Sequence, residues 1–303
     1  MSTKFSILIT TKNRFSDLKF TLDKIQYLIT RSDVECMVFD DGSTDGTSLF
    51  IEENYPNIIL SKNESSKGLI YCRNQMLNRT KAKYAISLDD DAHFVSENIL
   101  ENIEKHFVSN PECGAIAFRI FWGLELPTIL FSKEATERTK GFVGCGHVWN
   151  IKAWKDVPNY PEWFVFYGEE DFASFQLFKK KWEIHYLPNV LVHHRVDVKS
   201  RKKDKDYIIR FRRSLRSGWY LYFLFYPLNE IPKLFFYTLW IQLKLKVFKG
   251  DLKALWAILE ALFDCVWNFS RLIIQSNRLT TKEFKRYVKL SDTKLYWNPE
   301  KNN

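Results

Sequence analysis

The sequence predicts an α/β fold, with a mostly parallel sheet over residues 1–198 followed by an α-helical extension over residues 199–303. Three observations carry that expectation. Short apolar runs alternate with helix-period segments through the first part of the chain, the rhythm of a sheet with right-handed crossovers. Two of those runs end in dense acidic clusters. After His194 the composition turns basic and aromatic.

The first strand is expected at 4–10, because the apolar run Phe5 to Thr10 ends at Lys12-Asn13-Arg14 and is too short for a signal peptide. Further strands are expected at 34–40, 57–62, 83–88 and 113–121, and helices at 15–29, 44–54, 67–80 and 96–109. Ser96 with Glu97 in the first turn reads as the cap of the last helix. A block over 140–195 carries Gly141, Gly144 and Gly146, then Gly168-Glu169-Glu170-Asp171. It closes with a strand pair, Glu183 to Leu187 and Val190 to His194, around Pro188-Asn189.

With 303 residues, 46% apolar and 27% charged, the chain can bury one large core or two ordinary ones. Its five cysteines are scattered, odd in number and never in Cys-x-x-Cys spacing, which suggests reduced thiols and excludes a disulfide frame or a thiolate zinc site. The net charge of +9 is uneven: residues 1–198 carry −4 and residues 199–303 carry +13. An acidic front half argues against a nucleic-acid binder, whose reading domain needs a basic face. A dehydrogenase is disfavoured because no Gly-x-Gly-x-x-Gly follows the first strand. A sugar-phosphate nucleotidyltransferase would share the plan and the metal but needs a Gly-rich basic loop, of which Lys12 and Arg14 are a thin version. A non-catalytic membrane scaffold would explain the tail but not the acidic clusters.

The chemistry concentrates at strand ends. Asp89-Asp90-Asp91 directly follows the apolar run Tyr84 to Leu88, and Asp40-Asp41-Gly42-Ser43-Thr44-Asp45 follows Val34 to Phe39. Ligands in open α/β sheets bind beyond such ends, and carboxylates crowded there repel unless a cation joins them. Oxygen donors favour Mg²⁺ or Mn²⁺ over zinc, accompanied by a phosphate-rich ligand. Thr10-Thr11-Lys12-Asn13-Arg14 offers free backbone amides and a guanidinium to a phosphate, and Arg73 two turns into its helix does the same. Asp41 is placed to accept from the edge of a nucleotide base. Glu169-Glu170-Asp171 suits either a helix N-terminus or a general base. Of His193 and His194 only one need face the cleft, since strand side chains alternate, and His194 is the candidate third metal ligand.

In order and spacing, Ile9 to Arg14, Asp40 to Thr47, Arg73-Asn74, Leu88 to Asp91, Glu170-Asp171 and Val192 to His194 resemble the family 2 inverting glycosyltransferases of the GT-A fold. The resemblance covers residues 4–195. It implies that Thr10, Asn13, Arg14, Asp41, Arg73, Asp89 and Asp90 serve the nucleotide-sugar donor, most often a UDP-sugar. Asp89 and Asp91 would form the Asp-x-Asp motif, completed by His194 around Mn²⁺ or Mg²⁺. Asp171 aligns with the catalytic base, although the run Glu-Glu-Asp also lets Glu170 take that position. Gly144-Cys145-Gly146-His147 looks like the loop lining the acceptor side, with Gly146 as its substrate-binding glycine. The acceptor implied is a glycan or a lipid-linked hydroxyl.

The tail resembles the membrane-associating extensions of transferases that build bacterial surface polysaccharides. Lys199 to Arg216 holds nine Lys/Arg, and the aromatic runs at Trp219 to Tyr226 and Leu234 to Ile241 fall short of the ~20 residues of a membrane span. Leu252, Leu255, Trp256, Leu259, Leu262, Phe263 and Val266 form a stripe at helical spacing. The expectation is a peripheral protein on the cytoplasmic face of a bacterial inner membrane, held by an anionic leaflet. The same helices packing on the catalytic part, or joining two copies into a homo-oligomer, is the alternative.

Overall fold

The computed structural model describes residues 3–197 and 206–299. Its elements in chain order are β1 (Phe5–Thr11), α1 (Phe15–Ile29), β2 (Val34–Asp40), α2 (Thr47–Asn54), β3 (Ile58–Lys62), α3 (Leu69–Arg79), β4 (Tyr84–Asp89) and β5 (Ala92–Phe94). There follow α4 (Ile99–Ser109), β6 (Cys113–Trp122), β7 (Glu137–Thr139), β8 (Gly146–Asn150), α5 (Ile151–Asp156), α6 (Glu169–Lys179) and β9 (Glu183–His194). The extension supplies α7 (Tyr207–Phe225), α8 (Ile231–Leu245), α9 (Leu252–Trp267), α10 (Phe269–Ile274) and α11 (Thr281–Tyr287).

The nine-stranded sheet runs β3-β2-β1-β4-β8-β6-β9-β5, with β7 on β9. The half from β3 to β4 is parallel, as the alternation of strands and helices predicts. β1 has successive side chains on opposite faces. Ile7 and Ile9 join α1 and α4 in one core cluster, while Leu8 joins α3, α6 and α7 in the other. Register aligns Thr10 with Asp89 and Thr11 with Asp40, so the carboxyl ends of β1, β2 and β4 finish level. Chain order reverses there, with β2 on one side of β1 and β4 on the other. That is where an open sheet leaves a crevice.

Three local expectations need correction. Ser96 does not cap α4. Asn98 holds that position with a left-handed backbone, and the Ser96 hydroxyl accepts from the Leu191 amide instead. The expected strand pair at 183–194 is one twelve-residue strand. Proline has no N–H for the ladder, and pairing with β6 accordingly jumps from Phe118–Leu187 to Arg119–Leu191. Gly146 and His147 belong to β8, which runs antiparallel between β4 and β6 rather than forming a loop.

The extension is tied to the sheet domain by burial. Trp219, Tyr220, Leu221, Leu224 and Phe225 of α7 are buried in the same cluster as Phe172 and Phe175 of α6. Phe175 and Phe225 stack with centroids 4.8 Å apart. Trp219, Tyr220, Leu221, Leu224 and Phe225 are therefore core, while Tyr222, Phe223 and Tyr226 are half-buried against it. Of the basic stretch from Lys199, residues 199–205 lie outside the described residues. Arg212 and Arg216 turn inward to Asp264 of α9, at 2.7 and 3.3 Å.

Arg216 is 9% exposed and its guanidinium also donates to the Phe164 carbonyl. An Asp264→Ala change leaves that buried charge without its carboxylate, a loss expected to cost about 3 kcal/mol. Urea unfolding of the variant checks it. An Arg216→Leu/Asp264→Leu pair should recover most of the loss.

Candidate active site

The acidic triplet is delivered by strand geometry. β4 ends at Asp89, and the chain turns through Asp90 and Asp91 into β5. β5 pairs antiparallel with the end of β9, Ala92 opposite His194, and the Arg195 amide donates to the Asp91 carbonyl. That pairing brings His194 beside carboxylates a hundred residues away in sequence. His194 Nε2 lies 3.0 Å from Asp91 Oδ1 and 3.9 Å from Asp89 Oδ2. The predicted alternation holds, since His193 turns the other way and its Nε2 meets the Gly123 carbonyl.

One ligand atom from each of Asp89, Asp91 and His194 falls within 4.8 Å of the others. Asp91 Oδ1 is buried and meets the His194 ring, while His194 Nδ1 is buried without a hydrogen-bond partner, so the cluster keeps ligand atoms that no other protein group claims. Two oxygens and an imidazole suit Mn²⁺ or Mg²⁺. A second grouping, His106, Cys113 and His185, contrasts with it. There the two rings bond each other at 2.8 Å, the thiol donates to the Ala115 carbonyl, and Glu183 takes the outer nitrogen of His185. Those groups satisfy one another. Burial disfavours the charged form of Asp91, yet His194 and Arg14 outweigh it and hold the carboxylate at about 2. Burial disfavours the His194 cation, yet the Asp91 carboxylate outweighs it and raises the imidazole to about 10, so a metal bound there would displace that proton.

Two arginines neutralise the rest. Arg14 reaches Asp91 at 2.7 Å, Asp17 at 2.9 Å and Asp90 at 3.4 Å. Arg73 is buried; it donates to Asp89 (2.8 Å) and to the Gly144 carbonyl (2.9 Å), with Glu169 at 3.3 Å and Glu170 at 3.5 Å. One guanidinium therefore links the metal cluster to the acidic run that opens α6. Burial raises the carboxyls of Glu169 and Glu170, more so for Glu169 beside Glu170. Asp171 is lifted to about 6 by its surroundings and by Glu170. Glu170 stands beside Arg73, whereas Asp171 is exposed, and both line the acidic side of one cleft.

A cleft of about 650 Å³ is lined by Thr10, Lys12, Arg14, Asp41, Lys67 and the three aspartates. A second, of about 570 Å³, is lined by Arg73, Gly144, Cys145 and Glu169 to Asp171. Both are bordered by Leu69, Asp89, Phe166, His194 and Arg210, so they meet at the candidate metal cluster.

Several predicted roles change on this geometry. Both oxygens of Asp41 are engaged, by Asn63, Ser66 and the amides of Lys67 and Gly68, which hold its carboxylate below the ordinary range despite burial. It shapes the 63–68 loop at the cleft wall. Asp90 is buried, accepts from Thr11 Oγ1 at 2.8 Å, and braces α1 through the Thr21 hydroxyl. Asn13 takes a left-handed backbone and uses its side-chain oxygen on the Thr44 amide, joining the β1 and β2 loops. Thr10 borders the cleft with its hydroxyl buried and unpartnered. Gly146 borders neither cleft, and a Cβ there would press on Ile120 and Val192. The glycine that matters is Gly144: a Cβ on it would come within 2.0 Å of Glu170 Oε1 and 3.0 Å of Arg73.

Sequence reasoning missed Arg210 and Arg213 of α7 and Thr293 and Leu295 of the C-terminal segment, which border the two clefts. Their distance along the chain from every motif hides them. Val165 and Tyr167 also went unmarked, and both take positive φ, 67° and 70°, beside Gly168. Strain of that kind is tolerated where a loop is held for function.

A Gly144→Ala change is expected to displace the Glu170 carboxylate from Arg73 while leaving the thermal melting temperature nearly unchanged. Mn²⁺ titration of that variant should match the parent protein. In Asp91→Ala the same titration should show lost metal binding, together with a lowered melting temperature, because Arg14 and His194 lose the buried carboxylate that they pair with.

The comparisons agree with this geometry. The model of glycosyl transferase family 2 matches residues 6–160. Among solved structures, the chain resembles the mannosyltransferase PcManGT from Pyrobaculum calidifontis, in complex with GDP-Man and Mn²⁺. Identity is 17%, the TM-score 0.56, and the match covers 72% of this chain and 63% of that one. For GalNAc-T7 with UDP, GalNAc and Mn²⁺ the values are 13%, 0.59, 76% and 49%. For residues 1–349 of S. aureus TarS in complex with UDP they are 18%, 0.50, 72% and 65%. The chain thus spans about half to two thirds of these three structures. No curated protein matches the sequence.

Proposed function

The chain belongs to glycosyl transferase family 2, and from that footing we propose that it is an inverting glycosyltransferase moving a sugar from a nucleotide diphosphate to a hydroxyl of a glycan or lipid-linked acceptor. The observation that carries the reading is the junction of two clefts at Asp89 and His194, one running toward Thr10 and the β1 and β2 loops, the other toward Glu170. The first suits the donor and the second the acceptor. UDP is the nucleotide put first, because two of the three neighbours hold it, although the third holds GDP-Man. The assignment to bacterial surface-polysaccharide synthesis rests on the sequence resemblance and the basic, aromatic tail.

Asp89, Asp91 and His194 would hold a divalent cation, Mn²⁺ or Mg²⁺. Bound there, it would neutralise the diphosphate as that group leaves. Arg14, 40% exposed and already paired with Asp17 and Asp90, would be placed to share a donor N–H with a phosphate oxygen. In the single displacement, the acceptor oxygen bonds to the anomeric carbon as the bond from that carbon to the diphosphate breaks. The acceptor proton passes to a carboxylate. We assign that base to Glu170, whose carboxylate is 3.5 Å from Arg73 and so one side chain away from Asp89. Asp171, the alternative base, is exposed and lines the same cleft.

Thermal shift against a panel of nucleotide sugars, with and without Mn²⁺ or Mg²⁺, tests the donor reading. Stabilisation should need both, and the absence of any metal-dependent shift would count against it. For the base, Glu170→Gln should keep the donor shift and lose turnover by about 10²-fold or more, while Asp171→Asn stays near the parent. The reverse pattern moves the base to Asp171. Burial raises the Glu170 carboxyl and the base works ionised, so turnover should rise with pH through a point above the ordinary carboxylate range. Asp171→Asn should keep that rise.

A further inference from the structure

Helix α9 is built inside out. Its inward face carries Ala254, Ala257 and Ala261 with Ile258 and Cys265, all buried against the body of the protein. Its outward face carries Leu252 (72% exposed), Trp256 (63%), Phe263 (62%) and Trp267 (76%). Burial of large apolar side chains is what stabilises a water-surrounded fold, so small residues inward and aromatic ones outward reverse the ordinary economy. The small face lets α9 approach α7 closely, and the large face is left for something else.

That face is not isolated. Trp240 of α8 contacts Phe248, centroids 5.7 Å apart, and Phe263 stacks on Trp267 at 6.0 Å. Phe236 and Tyr237 extend it along α8, and Ile273 and Ile274 along α10, all exposed. Apolar surface gathered in this way marks an interaction site. The charges around it have one sign. Lys233, Lys244, Lys249, Lys253 and Arg271 are exposed. The three acidic residues of the same stretch are engaged: Asp251 caps α9, and Glu260 and Asp264 pair with Arg212.

We infer that the outward face of α8, α9 and α10 docks on an anionic lipid surface, with its aromatic side chains at headgroup depth and its lysines on the lipid phosphates. Tryptophan and tyrosine prefer that depth, and an amphipathic basic helix lies in the interface plane. No described helix is long and apolar enough to cross a membrane, so the contact is lateral. A second copy of the chain fits less well. In a two-fold dimer the patch meets itself, and its lysine rim would face an identical lysine rim without a carboxylate to answer it. The inference is independent of the sugar and of the base.

Co-sedimentation of the full chain with phosphatidylcholine vesicles, with and without phosphatidylglycerol, tests it alongside sedimentation velocity. Binding is expected with the anionic lipid and little without it. Trp256→Glu/Phe263→Glu, on exposed positions, should lower partitioning by about tenfold or more at an unchanged melting temperature and unchanged assembly state. Lys244→Glu/Lys249→Glu/Lys253→Glu should abolish the preference for phosphatidylglycerol, and serves as the second variant if the first fails to fold. No binding to either vesicle overturns the inference. So does a parent protein that sediments as a dimer and becomes a monomer in Trp256→Glu/Phe263→Glu with vesicle binding unchanged, which would give the face to a second copy.

Discussion

Electrostatic repulsion among carboxylates is the constraint on which the rest of this structure depends. Asp89, Asp90, Asp91, Glu169 and Glu170 converge on one crevice, and uncompensated they would drive the strand ends apart or take up protons. Arg14 answers the aspartates on the donor side, and Arg73 answers Asp89 and the glutamates on the other. His194, brought in by β9, closes the third side. The protein thus keeps a concentrated negative site folded by pairing each part of it with a cation from a different element. Arg14 is the pairing most easily exchanged, since its side chain is 40% exposed while that of Arg73 is 6% exposed.

Arg73 has a second consequence. It donates to Asp89 and to the Gly144 carbonyl while standing beside Glu170, so the candidate metal cluster, the 142–145 loop and the proposed base share one rigid reference. Such positioning is what a displacement reaction asks of its scaffold, because small errors in the approach of acceptor oxygen to anomeric carbon cost rate steeply.

Helix α7 joins chemistry to location. One side borders the clefts through Arg210, Arg213, Ser214 and Ser217, and another packs on α9 through Arg212, Arg216 and Tyr220. Among the described residues, basic side chains of the tail line the cleft (Arg210, Arg213), lock α7 to α9 (Arg212, Arg216) and rim the apolar face (Lys244, Lys249, Lys253). Composition shows only that they are basic, because charge along a sequence says nothing about which side of a helix meets which neighbour.

The sequence by itself determined the parallel half of the sheet, the strand ends where carboxylates gather, and the three side chains, Asp89, Asp91 and His194, that the fold brings together there. Those features are local: apolar runs of strand length, crossovers of helix length, and carboxylates too crowded to be structural. Tertiary structure alone decided the rest. It replaced Gly146 by Gly144, because only the fold shows which glycine lies against Glu170 and Arg73. It turned Asp41 and Asp90 into braces, since hydrogen-bond partners such as Ser66 and Thr11 come from other elements. It separated Trp219, Tyr220, Leu224 and Phe225, which are core, from the outward side chains of α9, which are surface. Both runs look equally apolar in sequence, and what distinguishes them is the neighbour that each face meets.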